Sequence, residues 1–88
     1  MKPLSNNQEL YDYLLLLSSQ LKQRDLQELS EVVLFASRQA SGMSTEFLGE
    51  SRIALRQVLQ KGAKVLTEQE RECIKDVLKQ LDTALDKR

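Results

Sequence analysis

Apolar residues recur with a helical period through most of the chain. With about 100° of rotation per residue, the apolar positions from about Glu68 to Asp86 fall on one side of a helix, within about 140° of arc. The remaining positions there are charged or polar. This pattern predicts a surface helix with one buried face, made of Cys73, Ile74, Val77, Leu78, Leu81, Ala84 and Leu85.

The other three helical stretches have similar stripes. Each predicts an amphipathic helix whose apolar face turns toward a common core. The stripes are Leu10, Leu14, Leu17 and Leu21 with Tyr13 at the edge; Leu26, Leu29, Val33, Ala36 and Ala40, widened by Val32; and Phe47, Leu48, Ala54, Leu55, Val58 and Leu59, with Ser51 among them.

Residues typical of helix ends separate the four stretches. Thr67 and Glu70 have the spacing of a capping box, and Asp25 is expected to be the N-cap of the second helix. Gly62 is expected to stop the third helix. Three helices are therefore predicted to span about Gln8–Gln23, Leu26–Ala40 and Glu68–Asp86. The remaining one lies within Met43–Gly62, with Ser44 or Thr45 as its N-cap.

The predicted fold is all-α, a small up-down bundle of about four helices. Connections are short, which favours antiparallel packing of neighbouring helices. Residues 1–88 are expected to form a single domain, with residues 1–6 flexible and residues 86–88 frayed. The alternative is that the joint KQRD, residues 22–25, fuses the first two helices into one longer, kinked helix.

Some residues fall outside the stripes. Leu16, Phe35 and Ile53 are large apolar side chains away from the main face of their helices, and Gly49 lies one turn from Ile53. A contiguous group of such residues would mark an interface. Gly49 is either merely tolerated, or it marks a place where a second helix crosses with Ile53 supplying apolar contact.

Cations flank the surface that Gly49 and Ile53 share. Between residues 51 and 67 there are four cations and no acid, and Arg52 and Arg56 lie one turn apart. The two arginines could grip an acidic partner. Alternatively, they neutralise the acidic first half of the chain and the end of their own helix.

Charge and cysteine content narrow the class of protein. The formal net charge is zero, whereas a nucleic-acid binder usually has a basic excess, so nucleic acid is not expected to be the main partner. The single cysteine suits a reducing compartment. No signal peptide or membrane span is apparent, because the longest apolar run is only YLLLL. A cytoplasmic location without membrane contact is expected.

The residue types disfavour catalysis and metal binding. Histidine is absent and Cys73 is the only cysteine, which removes the usual zinc ligands and the commonest general base. Cys73 is expected to be buried as a small hydrophobe. The carboxylate pairs Glu68/Glu72 and Glu72/Asp76 resemble a solvated helix face. We therefore expect no enzyme activity, cofactor, metal or small-molecule substrate.

The favoured hypothesis is a non-enzymatic protein–protein interaction module that binds a protein partner or self-associates, for example as a homodimer. Its predicted partner-binding residues are Leu16, Phe35, Gly49, Arg52, Ile53 and Arg56.

Two alternatives remain open. In size, helix count and the helix start LTEQE, the chain resembles small all-helical bacterial proteins such as bacteriocin immunity proteins. That helix start is generic, so the resemblance implies no residue role, but it keeps open a toxin-neutralising immunity or antitoxin protein. The other alternative is a nucleic-acid-binding regulator. It is disfavoured because Glu46 and Glu50 would face phosphates at the start of a recognition helix.

Overall fold

The computed structural model describes residues 7–41 and 44–86, which form four α-helices and no strand. The helices are α1 (Asn7–Gln23), α2 (Gln27–Arg38), α3 (Ser44–Gly62) and α4 (Glu68–Asp86), and a short 3₁₀ turn (Gln39–Ser41) follows α2. The predicted all-α fold is confirmed. The predictions for residues 1–6, Gly42 and residues 87–88 lie outside the described residues.

The four helices alternate in direction. Ser18, in the second-last turn of α1, contacts Ser30, in the first turn of α2. The side chain of Leu29, near the start of α2, lies against Gly62 at the end of α3. Arg24, just past α1, meets Glu70 at the start of α4. The chain is therefore the up-down bundle that the sequence predicts, and α1 and α2 are separate helices.

Most of the core comes from the predicted stripes. Leu66, in the loop before α4, belongs to none of them, and Ala84 of the predicted α4 face is exposed. All four leucines of the α1 stripe are at most 3% exposed, and Phe47, Leu55 and Val58 of α3 are fully buried. Removing one such side chain from water contributes about 1.5–3 kcal/mol to the free energy of unfolding. The remaining buried apolar residues are Leu29, Val33, Ala36, Ala54, Leu66, Ile74, Val77 and Leu81.

The prediction that Asp25 is the N-cap of α2 is wrong. Leu26 holds the cap position and makes no side-chain cap hydrogen bond. Asp25 instead has a φ of 61°, and it closes α1. The amide of Asp25 donates to the Lys22 carbonyl oxygen (3.2 Å) and that of Leu26 to the Leu21 carbonyl oxygen (2.9 Å). This is a Schellman ending, in which a short polar residue replaces the usual glycine.

The predicted capping box of α4 is confirmed. The Thr67 amide donates to Glu70 Oε1 at 2.8 Å, and the Glu70 amide donates to Thr67 Oγ1 at 3.1 Å. Arg71 secures the preceding loop, because its guanidinium donates to the carbonyl oxygens of Ala63 and Leu66. The loop between α3 and α4 is thus held by side chains from the first turn of α4.

Two buried serines join α1 and α2. The Ser18 hydroxyl lies 3.0 Å from the Ser30 carbonyl oxygen, and the Ser30 hydroxyl lies 2.8 Å from the Ser18 carbonyl oxygen. The two hydroxyl oxygens are themselves 2.8 Å apart. Small side chains let the two helix backbones approach closely here, and each buried hydroxyl finds an acceptor.

Candidate partner-binding surface

The off-stripe apolar residues are exposed. Leu16 is 58% exposed, Phe35 55% and Ile53 50%. A large apolar side chain left half in water suggests contact with another molecule when several of them lie together. Val65, in the loop before α4, is also exposed, at 47%. The sequence reasoning did not single it out, because a lone valine in a loop has no periodic neighbours.

Two of these residues share a groove between α2 and α3. Phe35 comes from α2 and Ile53 from α3, and both line the same hollow, which also includes Val32 and Ala54. Its volume of about 520 Å³ is space for several side chains of a partner. Leu16 belongs to α1, which contributes no residue to this groove. The structure therefore brings together only part of the predicted patch.

Gly49 lies beside the groove without lining it. A Cβ atom built on Gly49 would have no heavy atom within 4 Å in the described part of the chain, leaving aside its own helical neighbours. Hence no helix of the bundle crosses α3 at this position. The close approach occurs instead at Gly62, where an added Cβ would lie 3.2 Å from Leu29 Cδ1.

Arg52 and Arg56 point to the opposite flank of α3 and meet α4. A terminal guanidinium nitrogen of each lies 3.3 Å from Asp82 Oδ1. These distances are at the long end for charged hydrogen bonds, and all three side chains are at least 32% exposed, so the pairs are weak. Both arginines thus have an intramolecular partner on the side of α3 away from the groove.

The groove has an acidic rim that the sequence analysis missed. Glu28 and Glu31 of α2 and Glu50 of α3 line it together with the apolar residues. Within residues 7–41 and 44–86, none of these three carboxylates has a hydrogen bond or ion pair. The available signal was the helical spacing of Glu28, Glu31 and Phe35. It becomes meaningful only when the rotation of α2 against α3 is known.

A second hollow continues the groove toward the end of α3. It shares Glu28, Val32 and Gln57 with the first, and it adds Asp25 and Lys61. Across both hollows the lining contains four acidic side chains and one basic side chain. The combined surface is a strip along α2 and α3 that has an apolar floor and an excess of negative charge.

Two titratable side chains, Tyr13 and Cys73, lie close to the core. Cys73 is half-buried, not fully buried as predicted. Burial raises the pKa of the Tyr13 hydroxyl well above its usual value, and the nearby Cys73 and Glu70 raise it further. Tyr13 therefore remains protonated at neutral pH. Among the residues that the structure describes, no group of three or more acidic or cysteine side chains is arranged to hold a metal ion.

None of the described helices is long and apolar enough to cross a membrane. Comparison with known proteins identifies no relative: no protein-family model matches the chain, and neither a curated protein nor a solved structure matches it.

Proposed function

We propose that the chain is a non-enzymatic helical interaction module that binds another protein through the α2/α3 groove. The observation that carries this proposal is that Phe35 and Ile53, each about half exposed, line one groove from two different helices. Covering two such side chains would add a few kcal/mol to association, at about 1.5–3 kcal/mol for a fully buried side chain. Large apolar anchors are the typical centre of a protein interface.

The chemistry of the side chains supports a binding role over catalysis. The sequence has no histidine, and the one cysteine lies against the bundle, half-buried. The carboxylates of the groove lie along an open surface. A cytoplasmic location is part of the proposal, and it is supported by the lone cysteine, which fits a reducing compartment.

Site-specific photo-crosslinking in cells of the source organism tests this proposal. A photoreactive residue at position 53 is expected to yield a discrete crosslinked protein species. The same residue at position 16 is the matched control, because Leu16 is equally exposed but lies on α1, outside the groove. Phe35→Ala should abolish the crosslink from position 53. Equal crosslinking from both positions, or none from position 53, would contradict the proposal.

The immunity or antitoxin alternative remains a prediction of the same general kind, since such a protein also binds another protein. A toxin gene next to this one would support it. The nucleic-acid alternative receives no support from the groove, because Glu28, Glu31 and Glu50 would repel phosphates. Retention on heparin that falls with salt would favour it, and absence of retention at low salt would exclude it.

A further inference from the structure

The α2/α3 groove combines two kinds of chemistry on one surface. Val32 and Ala54 form its apolar floor, and Phe35 and Ile53 stand at its edges. Carboxylates lie beside these apolar groups on both helices. An occupant that fits must therefore have apolar groups in the middle and positive charge along its sides.

The acidic side chains are available for such an occupant. Elsewhere in the bundle, carboxylates form ion pairs within the chain. Glu70 pairs with Arg24. Asp82 pairs with Arg52 and Arg56. By contrast, Glu31 and Glu50 have no partner among the residues described here. A basic partner would thus gain charge pairs without first breaking any that the structure shows.

The same charges argue against other occupants. A second copy docked through the same groove would bring Glu31 and Glu50 of one chain against those of the other, which is repulsive in a two-fold dimer. Nucleic acid and an anionic membrane surface carry the same sign as the groove. The remaining class is a positively charged segment of a different protein.

We propose that the groove binds a basic amphipathic helix of another protein. The groove runs between two antiparallel helices, so a third helix laid along it would meet apolar positions roughly every turn. Such a ligand has apolar residues at positions i, i+3, i+4 and i+7, with lysine or arginine on either side of that stripe. This inference rests on the proposed function, because it names the partner chemistry of the same groove.

A designed peptide tests the inference directly. The probe is a fluorescent leucine–lysine peptide of about 18 residues, long enough to run the length of α2, with leucine at helical spacing. Two peptides serve as ligand controls. One has the same composition in scrambled order, which removes the apolar face, and the other has glutamate in place of lysine. Binding is measured by fluorescence anisotropy, and the contact surface by NMR chemical-shift changes.

We expect the cationic amphipathic peptide to bind at least about tenfold more tightly than the scrambled peptide, with no binding of the acidic one. Shift changes should centre on α2 and α3. The double variant Glu31→Gln/Glu50→Gln should weaken binding by about tenfold or more and reduce its dependence on salt. The matched control, Glu72→Gln/Asp76→Asn, removes two carboxylates from the polar face of α4 and should leave binding unchanged.

Four results would overturn the inference. The first is that the α4 control variant weakens peptide binding as much as the Glu31→Gln/Glu50→Gln variant does. The second is that the scrambled peptide binds as tightly as the amphipathic one. Either result would show only general charge attraction. The third is that light scattering detects a concentration-dependent dimer and that Phe35→Ala disrupts this dimer. A second copy of the chain would then be the occupant of the groove. Failure of the peptide to bind would also overturn it. The crosslink from position 53 would then still decide the proposed function separately.

Discussion

Arg24 and Glu70 form a two-pronged ion pair that ties the end of α1 to the start of α4. Arg24 Nη1 lies 2.5 Å from Glu70 Oε1, and Nη2 lies 2.7 Å from Oε2. Glu70 also accepts the Thr67 amide of the capping box. One carboxylate therefore serves both the local start of a helix and a contact between residues far apart in the chain.

This arrangement predicts a pH dependence of stability. The hydrogen bond from Arg24 lowers the pKa of Glu70 from 4.5 to about 2; burial opposes this shift, and the bonds from Thr67 add to it. Because the folded pKa is the lower one, the stabilisation is fully present above about pH 4.5 and is lost as the pH falls toward 2. Glu70→Gln removes the charge but keeps an acceptor for the capping box.

We therefore expect Glu70→Gln to lower the free energy of unfolding at neutral pH by on the order of 1 kcal/mol, since the pair is partly exposed to solvent. The curves of the two proteins against pH should converge near pH 2. Urea denaturation at a series of pH values measures this. Glu72→Gln, whose partner Lys75 is 3.8 Å away and exposed, is the control and should follow the wild-type curve. Curves that stay parallel for Glu70→Gln would contradict the assignment.

The left-handed conformation of Asp25 predicts that glycine is better at this position. Asp25→Gly removes the steric clash of a Cβ atom at φ 61°. It is expected to raise the free energy of unfolding by up to about 1 kcal/mol, because the greater conformational entropy of glycine in the unfolded chain offsets part of the gain. Asp25→Val should destabilise, because a β-branched residue is strained there. If Asp25→Gly lowers the melting temperature instead, the side chain is acting as a cap.

The two glycines of α3 should respond differently to alanine. Gly49→Ala places a methyl group in open space and is expected to stabilise the protein by about 0.8–1 kcal/mol. Gly62→Ala should gain less or destabilise, because Leu29 Cδ1 must move away from a contact of 3.2 Å. Denaturation of the two variants side by side measures the difference. A smaller gain at position 49 than at position 62 would refute the packing described here.

Ser51 is a buried hydroxyl in an apolar setting. Its side chain is fully buried on the core face of α3, and its oxygen has no hydrogen-bond partner among the described residues. Ser51→Ala is expected to stabilise the protein by about 1 kcal/mol, because leaving such a group unpaired costs about 1–3 kcal/mol. Ser51→Thr keeps the hydroxyl and adds a methyl group to a packed core, so it should destabilise. A loss of stability in Ser51→Ala would show that the hydroxyl is bonded.

The helices and their buried faces could be predicted because these depend on local periodicity. The leucine stripe of α1 and the Thr67/Glu70 box were readable for this reason. Asp25 was misassigned because the same residue types suit the start of one helix and the end of another, and only the backbone distinguishes the two. The pairing of Phe35 with Ile53, and the acidic rim at Glu31 and Glu50, depend on how α2 is rotated against α3. No pattern within a single helix determines that rotation.

The Ser18–Ser30 contact fixes how far α1 can slide along α2. Apolar residues recur about every turn on both helices, so a shift by one turn, about 5.4 Å, would again place apolar against apolar. Such a shift would leave both serine hydroxyls among apolar side chains without their carbonyl acceptors. The leucines thus hold the two helices together without distinguishing one alignment from the next. In the observed alignment the serine pair bonds both of its hydroxyls across the interface, and so favours this structure over others of similar apolar burial.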